Sequence, residues 1–303
     1  MARISVIIPT HNRARLLPRA IESAKAAGQD VEIIVVDDAS ADETPSVCAD
    51  IPDIIYLRMQ NNVGLARARN AGIRRSTGEY IAFLDDDDLR LPGSLDLQAA
   101  MLDQNRDLGF VYGPVHFGDT RDCVPTGRIK PEVCPGGDIF WRLVIDNFIY
   151  VASVMVRRTH METIGLFAED VPGTEDWDAW LRLAAISPVD ALPEPVAIYR
   201  EPAYQSEQMS SHRPSMCMSG VRTQMRALRS PRALARDQTT RKRLELNYRD
   251  SVWDNLVREG YRSLSDRQFY YASLNFLTAI RLHPRRAANV GVITNFVRSV
   301  LAR

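Results

Sequence analysis

Four aspartates stand in a row, Asp85, Asp86, Asp87 and Asp88, directly after the apolar run Tyr80, Ile81, Ala82, Phe83 and Leu84. Adjacent carboxylates repel one another, so a folded chain that gathers four of them calls for positive charge nearby. The apolar run is short and rich in branched and aromatic residues, which predicts a buried strand over 80–84. Polar groups just past such a strand lie where open α/β sheets bind their ligands. Clustered oxygen donors suit a hard divalent cation, Mg²⁺ or Mn²⁺, of the kind that bridges to substrate phosphates. Phosphate-ester chemistry is therefore indicated. Taken alone, the run also fits an acidic turn ahead of the helix after Pro92, because aspartate is favoured at helix starts.

Two earlier predicted strands, over 4–8 and 31–36, end in the same manner. The first is followed by Pro9, Thr10, His11, Asn12 and Arg13, and the second by Asp37, Asp38, Ala39, Ser40, Ala41, Asp42, Glu43 and Thr44. A third strand is predicted over 54–59. Between the strands, residues 15–27 carry Leu16, Leu17, Ala20, Ile21 and Ala24 at helical spacing, and 64–75 also read as a helix. Strands alternating with helices predict a mostly parallel central sheet with helices on both faces. All three polar segments then share one sheet edge. A planar base fits between such loops, with Asp38 able to accept a hydrogen bond from a uracil or thymine ring N–H. Arg67 and Asn70 stand at i, i+3 on one helix face, so Arg67 is a candidate for the nucleotide side. Arg69 is assigned to the solvated face of the same helix. Capping by Ser40 or Asp42 accounts equally for one member of the Asp37–Asp38 pair. No GxGxxG follows the first strand, which disfavours dinucleotide binding, and neither a P-loop nor a GxSxG is present.

Beyond 109 the pattern loosens. Residues 109–117 and 151–156 read as strands, 120–137 as a loop or short hairpin, 176–186 as a helix and 196–199 as a last strand. Residues after about 211 are helical in character, with breaks at Ser230–Pro231 and His283–Pro284. The expected domains are thus 1–212 and 213–303. The second carries 18 Arg and Lys against 6 Asp and Glu, a charge of +12; the chain sums to zero, leaving −12 on the first. An anionic partner for the tail is implied, either membrane lipid or the front half itself. Ala272, Phe276, Ala279 and Pro284 have the spacing of a tetratricopeptide hairpin, but one unit is too little for a solenoid. Residues 285–303 combine apolar residues with Arg285, Arg286, Arg298 and Arg303 and no acid, as in a basic amphipathic helix lying on an anionic membrane. Cys48, Cys123, Cys134 and Cys217 form no CxxC pair, so zinc and redox motifs are disfavoured. No apolar run approaches the ~20 residues of a membrane span, and the N-terminal run is too short for a signal peptide. A cytoplasmic location, peripheral at the inner face of the membrane, is expected.

The segments VIIPTHNR, VVDDASADET, NVGLARARNAG, GEYIAFLDDDD and TEDWDAWLRLA, in that order over residues 3–200, resemble family 2 glycosyltransferases with the A-type nucleotide-sugar transferase fold. The resemblance implies that Pro9, Thr10, His11 and Asn12, with Asp38, hold the nucleobase, and that Arg67 belongs to the nucleotide-binding helix. It places the DxD motif on Asp85, Asp86 and Asp87: Asp87 would bind the metal, Asp85 or Asp86 would contact the ribose, and Asp88 would lie beside the metal without ligating it. It also implies a catalytic base in the Glu175–Asp176 pair, with Asp176 the base and Glu175 orienting it or binding acceptor hydroxyls. Such a base is chemically apt, because a hydroxyl is a poor nucleophile until its proton is being removed. Trp177 and Trp180 fit either a platform for a sugar ring or the core. Tyr199–Arg200 matches a Tyr-Arg segment of the family, and His212 is a candidate third ligand. The QxxRW sequence of processive members is absent after Asp176, which favours one sugar per encounter.

The implied activity is inverting, metal-dependent transfer from a nucleotide-sugar donor, a UDP-sugar first, to a glycan, lipid-linked or small-molecule acceptor. A sugar nucleotidyltransferase is the rival enzyme, although its glycine-rich loop is missing after Ile8. A non-catalytic nucleotide-sugar-binding relative is the third reading. No nucleic-acid partner is expected, since stacking motifs are not visible.

Overall fold

The N-terminal alternation folds as β1 (Ile4–Thr10), α1 (Leu17–Ala26), β2 (Val31–Asp37), α2 (Thr44–Asp50), β3 (Ile55–Arg58), α3 (Leu65–Arg75) and β4 (Tyr80–Phe83). The structure, a computed structural model, describes residues 2–201 and 213–287. Strand β1 pairs in parallel with β2 on one side and with β4 on the other, and β3 extends the sheet beyond β2. The period of two explains the layering. Val6, Ile8, Ile33 and Val35 face α1 and pack with Leu17, Ala20, Ile21 and Ala24 in the principal core. Ile7 and Val36 point the other way, toward α3. There Gly72 lets the helix approach closely, because a Cβ at that position would stand 2.6 Å from Ile7 Cγ2. Helices thus cover both sheet faces, as the alternation predicts.

The chain continues through β5 (Leu89–Arg90), α4 (Ser94–Gln104), β6 (Phe110–Tyr112), β7 (Val115–Gly118), β8 (Pro125–Lys130), α5 (Phe140–Ile145), β9 (Met155–Arg157), α6 (Arg158–Thr163), α7 (Glu175–Ile186), β10 (Val189–Ala191) and β11 (Ala197–Arg200). The large sheet runs β10-β6-β9-β4-β1-β2-β3. Strand β9 is antiparallel to both neighbours, so it alone among these seven opposes the common direction. A second sheet runs β5-β11-β7-β8, its strand β5 following β4 and the aspartate run in sequence. The single strand expected over 109–117 is in fact two, one in each sheet. Gly113 and Pro114 separate them, and proline lacks the N–H that would continue a ladder. The 120–137 segment supplies β8, a hairpin partner of β7. Of the strand expected over 151–156, the first half is a 3₁₀ turn, Val151–Ser153.

The chain divides into compact units Met1–Ser206 and Glu207–Arg303. In the second, α8 (Arg213–Leu228), α9 (Pro231–Leu234), α10 (Gln238–Ser265), α11 (Phe269–Leu282) and α12 (Pro284–Ala287) follow one another. Ser230 caps α9 through its hydroxyl, and α11 ends just before Pro284, at the two breaks read from the sequence. Helices α10 and α11 form a hairpin around Trp253, Leu256, Ala272, Phe276 and Ala279. His212 and most of the 285–303 segment lie outside the described residues. No helix among the described residues is long and apolar enough to cross a membrane.

Candidate active site

The loops after β1, β2 and β4 meet at one sheet edge, and hydrogen bonds tie them together. Thr10, at the end of β1, is buried with Pro9. His11 Nδ1 sits 2.8 Å from the Asp38 carbonyl oxygen, and Asn12, at φ 54°, accepts from Ala41 N–H at 2.7 Å. Asn12 tolerates this left-handed conformation better than most residues. His11 and Asn12 are nonetheless exposed.

The two aspartates after β2 divide their work. Asp37 is fully buried; it accepts from Ser40 N–H at 2.7 Å and from the Tyr56 hydroxyl at 2.6 Å. That carboxylate pushes the Tyr56 phenol up to about 12, together with burial, which is the larger cause. Asp37 therefore belongs to the scaffold. Asp38 accepts from Val63 N–H at 2.7 Å and Gly64 N–H at 2.8 Å, one on each oxygen. It thereby fixes the entry to α3, and each oxygen keeps a second lone pair.

On α3 the arginines are distributed differently from the sequence reading. Arg67 is exposed and pairs with Glu169 at 2.8 Å, and Asn70 reaches the same carboxylate at 3.4 Å, so the two do share a face. Arg69 is not on the solvated face. Its side chain is 2% exposed and forks between Glu175 at 2.8 Å and Asp85 at 2.6 Å. The signal was available: Ala66, Arg69, Asn70 and Ile73 stand at i, i+3, i+4 and i+7, the stripe of a core-facing helix. A charge on that stripe requires a buried partner, and here Glu175 is that partner, with the half-buried Asp85 beside it.

The aspartate run follows β4 and splits by environment. Asp85 meets Arg69. Asp87 lies 3.2 Å from Arg200 and 3.6 Å from Arg13. Asp88 is buried, accepts from Arg200 N–H at 2.8 Å, and is held well above the usual carboxylate range by burial and by Asp87 and Asp85. Asp86 is pushed up to about 7 by burial and the charge of Asp87, partly opposed by the Thr10 hydroxyl and Arg13. Nearby, burial lowers the Arg90 guanidinium to about 9; Gln98 and the carbonyls of Phe83 and Val154 hold it. Positive charge is thus present beside the run, supplied by Arg13 after β1, Arg69 on α3 and Arg200 at the end of β11. Arg13 and Arg69 carry no role in the sequence reading, whereas Arg200 falls in its Tyr-Arg segment.

The Glu175–Asp176 pair opens α7. Glu175 is buried and accepts from Arg69 and from Gly173 N–H at 2.7 Å. Asp176 is pushed up to about 7, first by burial and then by Glu175, while Arg69 and Trp177 N–H pull it back. The sugar-platform reading of the tryptophans fails. Trp180 is fully buried among Phe83, Phe110 and Phe167, and Trp177 is buried with its indole N–H on the Leu143 carbonyl at 2.7 Å. Both belong to the core because α7 packs one face on the sheet and another on α5. Arg69 therefore ties the β4 aspartates to the start of α7, and these carboxylates share one site.

A model of the family described as glycosyl transferase family 2 matches residues 5–161, more than half the chain. The chain belongs to this family. Among curated proteins, an uncharacterized glycosyltransferase of Rickettsia felis is 31% identical over 194 residues, which are 61% of this chain and 32% of that protein. The family 2 chain therefore spans about a third of that relative's length. Among solved structures, S. aureus TarS in complex with UDP-GlcNAc has a TM-score of 0.60 at 17% identity, covering 94% of this chain and 92% of that one. The mannosyltransferase PcManGT from Pyrobaculum calidifontis, in complex with GDP-Man and Mn²⁺, has a TM-score of 0.57 at 19% identity, covering 95% and 88%. At such identities the two likenesses concern the fold, which is that of the A-type glycosyltransferases with helices added at the C-terminus. The family match covers β1 through α6, and so includes the aspartate run and Arg69, but stops before Glu175 and Asp176.

Proposed function

We propose that this protein is an inverting, metal-dependent, non-processive glycosyltransferase. It would move one sugar from a nucleotide-sugar donor, a UDP-sugar first, to a hydroxyl of a glycan, lipid-linked or small-molecule acceptor. Residues 1–212 would form the catalytic domain. Membership of the family supports transfer as the reaction class, and the UDP-GlcNAc complex of TarS supports the nucleotide. The GDP-Man complex of the mannosyltransferase makes guanine the first rival base.

The observation that carries the reading is the buried Arg69 fork between Asp85 and Glu175, with Asp176 poised near neutrality. A general base serves best when its pKa lies near the working pH. Asp176 would take the acceptor proton, Glu175 would hold the start of α7, and attack would come from the face opposite the leaving group. Pro9, Thr10, His11, Asn12 and Asp38 would cradle the base, Asp85 or Asp86 the ribose, and Arg67 the nucleotide side.

The aspartate run suits a divalent ion chemically. Asp86 and Asp88 are raised first by burial and then by the charge of Asp87 and Asp85, so ionising the whole run calls for further positive charge. Among the described residues no three His, Cys, Asp or Glu side chains form a cage. Mg²⁺ is commonly held by one or two carboxylates and completed by substrate phosphates. Asp87 would hold the ion here, which when bound takes up charge developing on the departing diphosphate. Asp88, buried at the end of the run, would lie beside the ion without ligating it.

A thermal-shift panel of UDP, dTDP and GDP and their sugars, with and without Mn²⁺, tests the proposal. Selective stabilisation by one nucleotide that grows with Mn²⁺ is expected; at a ligand concentration of 100 times Kd it amounts to about 2.7 kcal/mol. An identical melting temperature across the whole panel would overturn it.

A further inference from the structure

Helix α11 has two apolar faces. One, bearing Ala272, Phe276 and Ala279, is buried within the hairpin. The other bears Phe269, Tyr270, Leu274, Leu277 and Ile280, all exposed, with Tyr270 at 74% and Leu277 at 64%. At 3.6 residues per turn these five fall within an arc of about 140°. A continuous stripe of this kind marks an interaction surface, whereas scattered exposed apolar residues do not.

Charge selects the occupant. From Arg267 to Arg303 the chain has six arginines and no acidic residue, and residues 213–303 carry +12. Arg281 lies within the exposed arc, Arg267 just ahead of the helix, and Arg258 and Arg262 are exposed in the last turns of α10. A second copy seated on this face would bring two strongly positive units together, which electrostatics opposes. Anionic lipid matches both features: headgroups attract the arginines and an apolar boundary layer accepts Leu274, Leu277 and Ile280. Tyrosine, with an apolar ring and a polar tip, is at home at that boundary.

We propose that the exposed face of α11 binds the surface of an anionic membrane, with the helix lying in the interface plane. The inference rests on this face alone and is independent of the transfer reaction.

The full chain is to be floated with vesicles of phosphatidylcholine alone and of phosphatidylcholine with ~30% phosphatidylglycerol. Recovery with the anionic vesicles alone, decreasing as salt rises, is the expected result. Leu274→Ser with Leu277→Ser should lower that recovery at least about tenfold, since two apolar anchors leave the interface, while the melting temperature stays at the wild-type value. Tyr270→Glu, a separate exposed site, should act in the same direction. Absence of wild-type protein from the anionic fraction would overturn the proposal, as would equal recovery of folded variants. So would a dimer in analytical ultracentrifugation that these substitutions dissociate, which would assign the face to a second copy.

Discussion

Replacing Arg69 with methionine removes one guanidinium from a fork whose two acceptors differ greatly in access to water. The Asp85 side chain is 29% exposed and can be rehydrated, so its loss of a partner costs little. The Glu175 side chain is 4% exposed and, among the described residues, would keep Gly173 N–H as a donor. Stranding a buried charge by removing its partner costs about 3–5 kcal/mol. For a unit of this size each kcal/mol moves the melting temperature by about 2–4 °C, so a fall of roughly 10 °C is expected. Arg69→Lys keeps a positive charge but loses the planar fork, and should fall between. Adding Glu175→Gln to Arg69→Met removes the stranded charge and should restore at least about 2 kcal/mol, a coupling that denaturant unfolding of the four proteins of the cycle measures. Arg69 would act as a positioning residue, and a second readout separates this from bulk stability. Its charge holds the Asp176 carboxyl down, so in Arg69→Met the acid limb of any transfer–pH profile should move to higher pH. A variant melting within about 2 °C of wild type, or a double variant with no recovery, refutes the argument.

Other expectations follow from the same geometry. Transfer should rise with pH through about 7, as Asp176 loses its proton, and Asp176→Asn should abolish transfer while isothermal titration still detects donor binding. The Asp176 pKa is raised on folding, so its contribution to stability is full at pH values below its unfolded pKa and is lost as pH climbs through 7. Asp176→Asn should therefore unfold at higher denaturant than wild type at pH 8, by on the order of 1–3 kcal/mol. Asp87→Ala should remove any Mn²⁺-dependent part of nucleotide stabilisation in a thermal-shift assay, while leaving the fold intact because Arg13 and Arg200 are partly exposed. Asp37→Ala should cost about 2–4 kcal/mol in chemical unfolding, because it strands the buried Ser40 N–H and the Tyr56 hydroxyl.

Strands β1, β2 and β4 are legible in the sequence because burial on both faces makes each a short apolar run between polar ends, and the half-buried edge strand β3 still carries Ile55, Tyr56 and Leu57. Asp38 and the Asp85–Asp88 run are legible for the same reason: they sit just beyond such runs. The division of labour inside the pairs is not. Asp37 and Asp38 are neighbours on one strand end, and what separates them is Tyr56 on β3 and the backbone of Val63 and Gly64, contacts made across the fold. Arg69 reads as solvated because hydrophobic patterning discounts a charge, although its spacing with Ala66 and Ile73 marks the inner stripe. Trp177 and Trp180 were open to two readings because α7 buries more than one face. The break at Gly113–Pro114 was written in the sequence, but the second sheet it starts depends on β11, some eighty residues away.

The arrangement of charge bears on why this edge needs so rigid a frame. Asp86, Asp88 and Asp176 are raised, and Arg90 is lowered, all chiefly by burial. Each group would be better solvated in the unfolded chain, so the cluster works against folding and must be held by what surrounds it. Strand β4 supplies that hold on one side: Phe83 packs on Phe167 and Trp180 immediately before the run. Strand β11 supplies it on the other, where Arg200 meets Asp87 and Asp88 from the second sheet. Arg69 closes the set from α3. Strand β4, helix α3 before it and the distant strand β11 thus converge on four consecutive residues. A solvated acidic turn capping a helix would need none of them, and would leave Asp88 neither buried nor raised. The cost in stability is explained if the aspartate edge is kept for a ligand that brings further positive charge, and that is the demand a diphosphate with its divalent ion would meet.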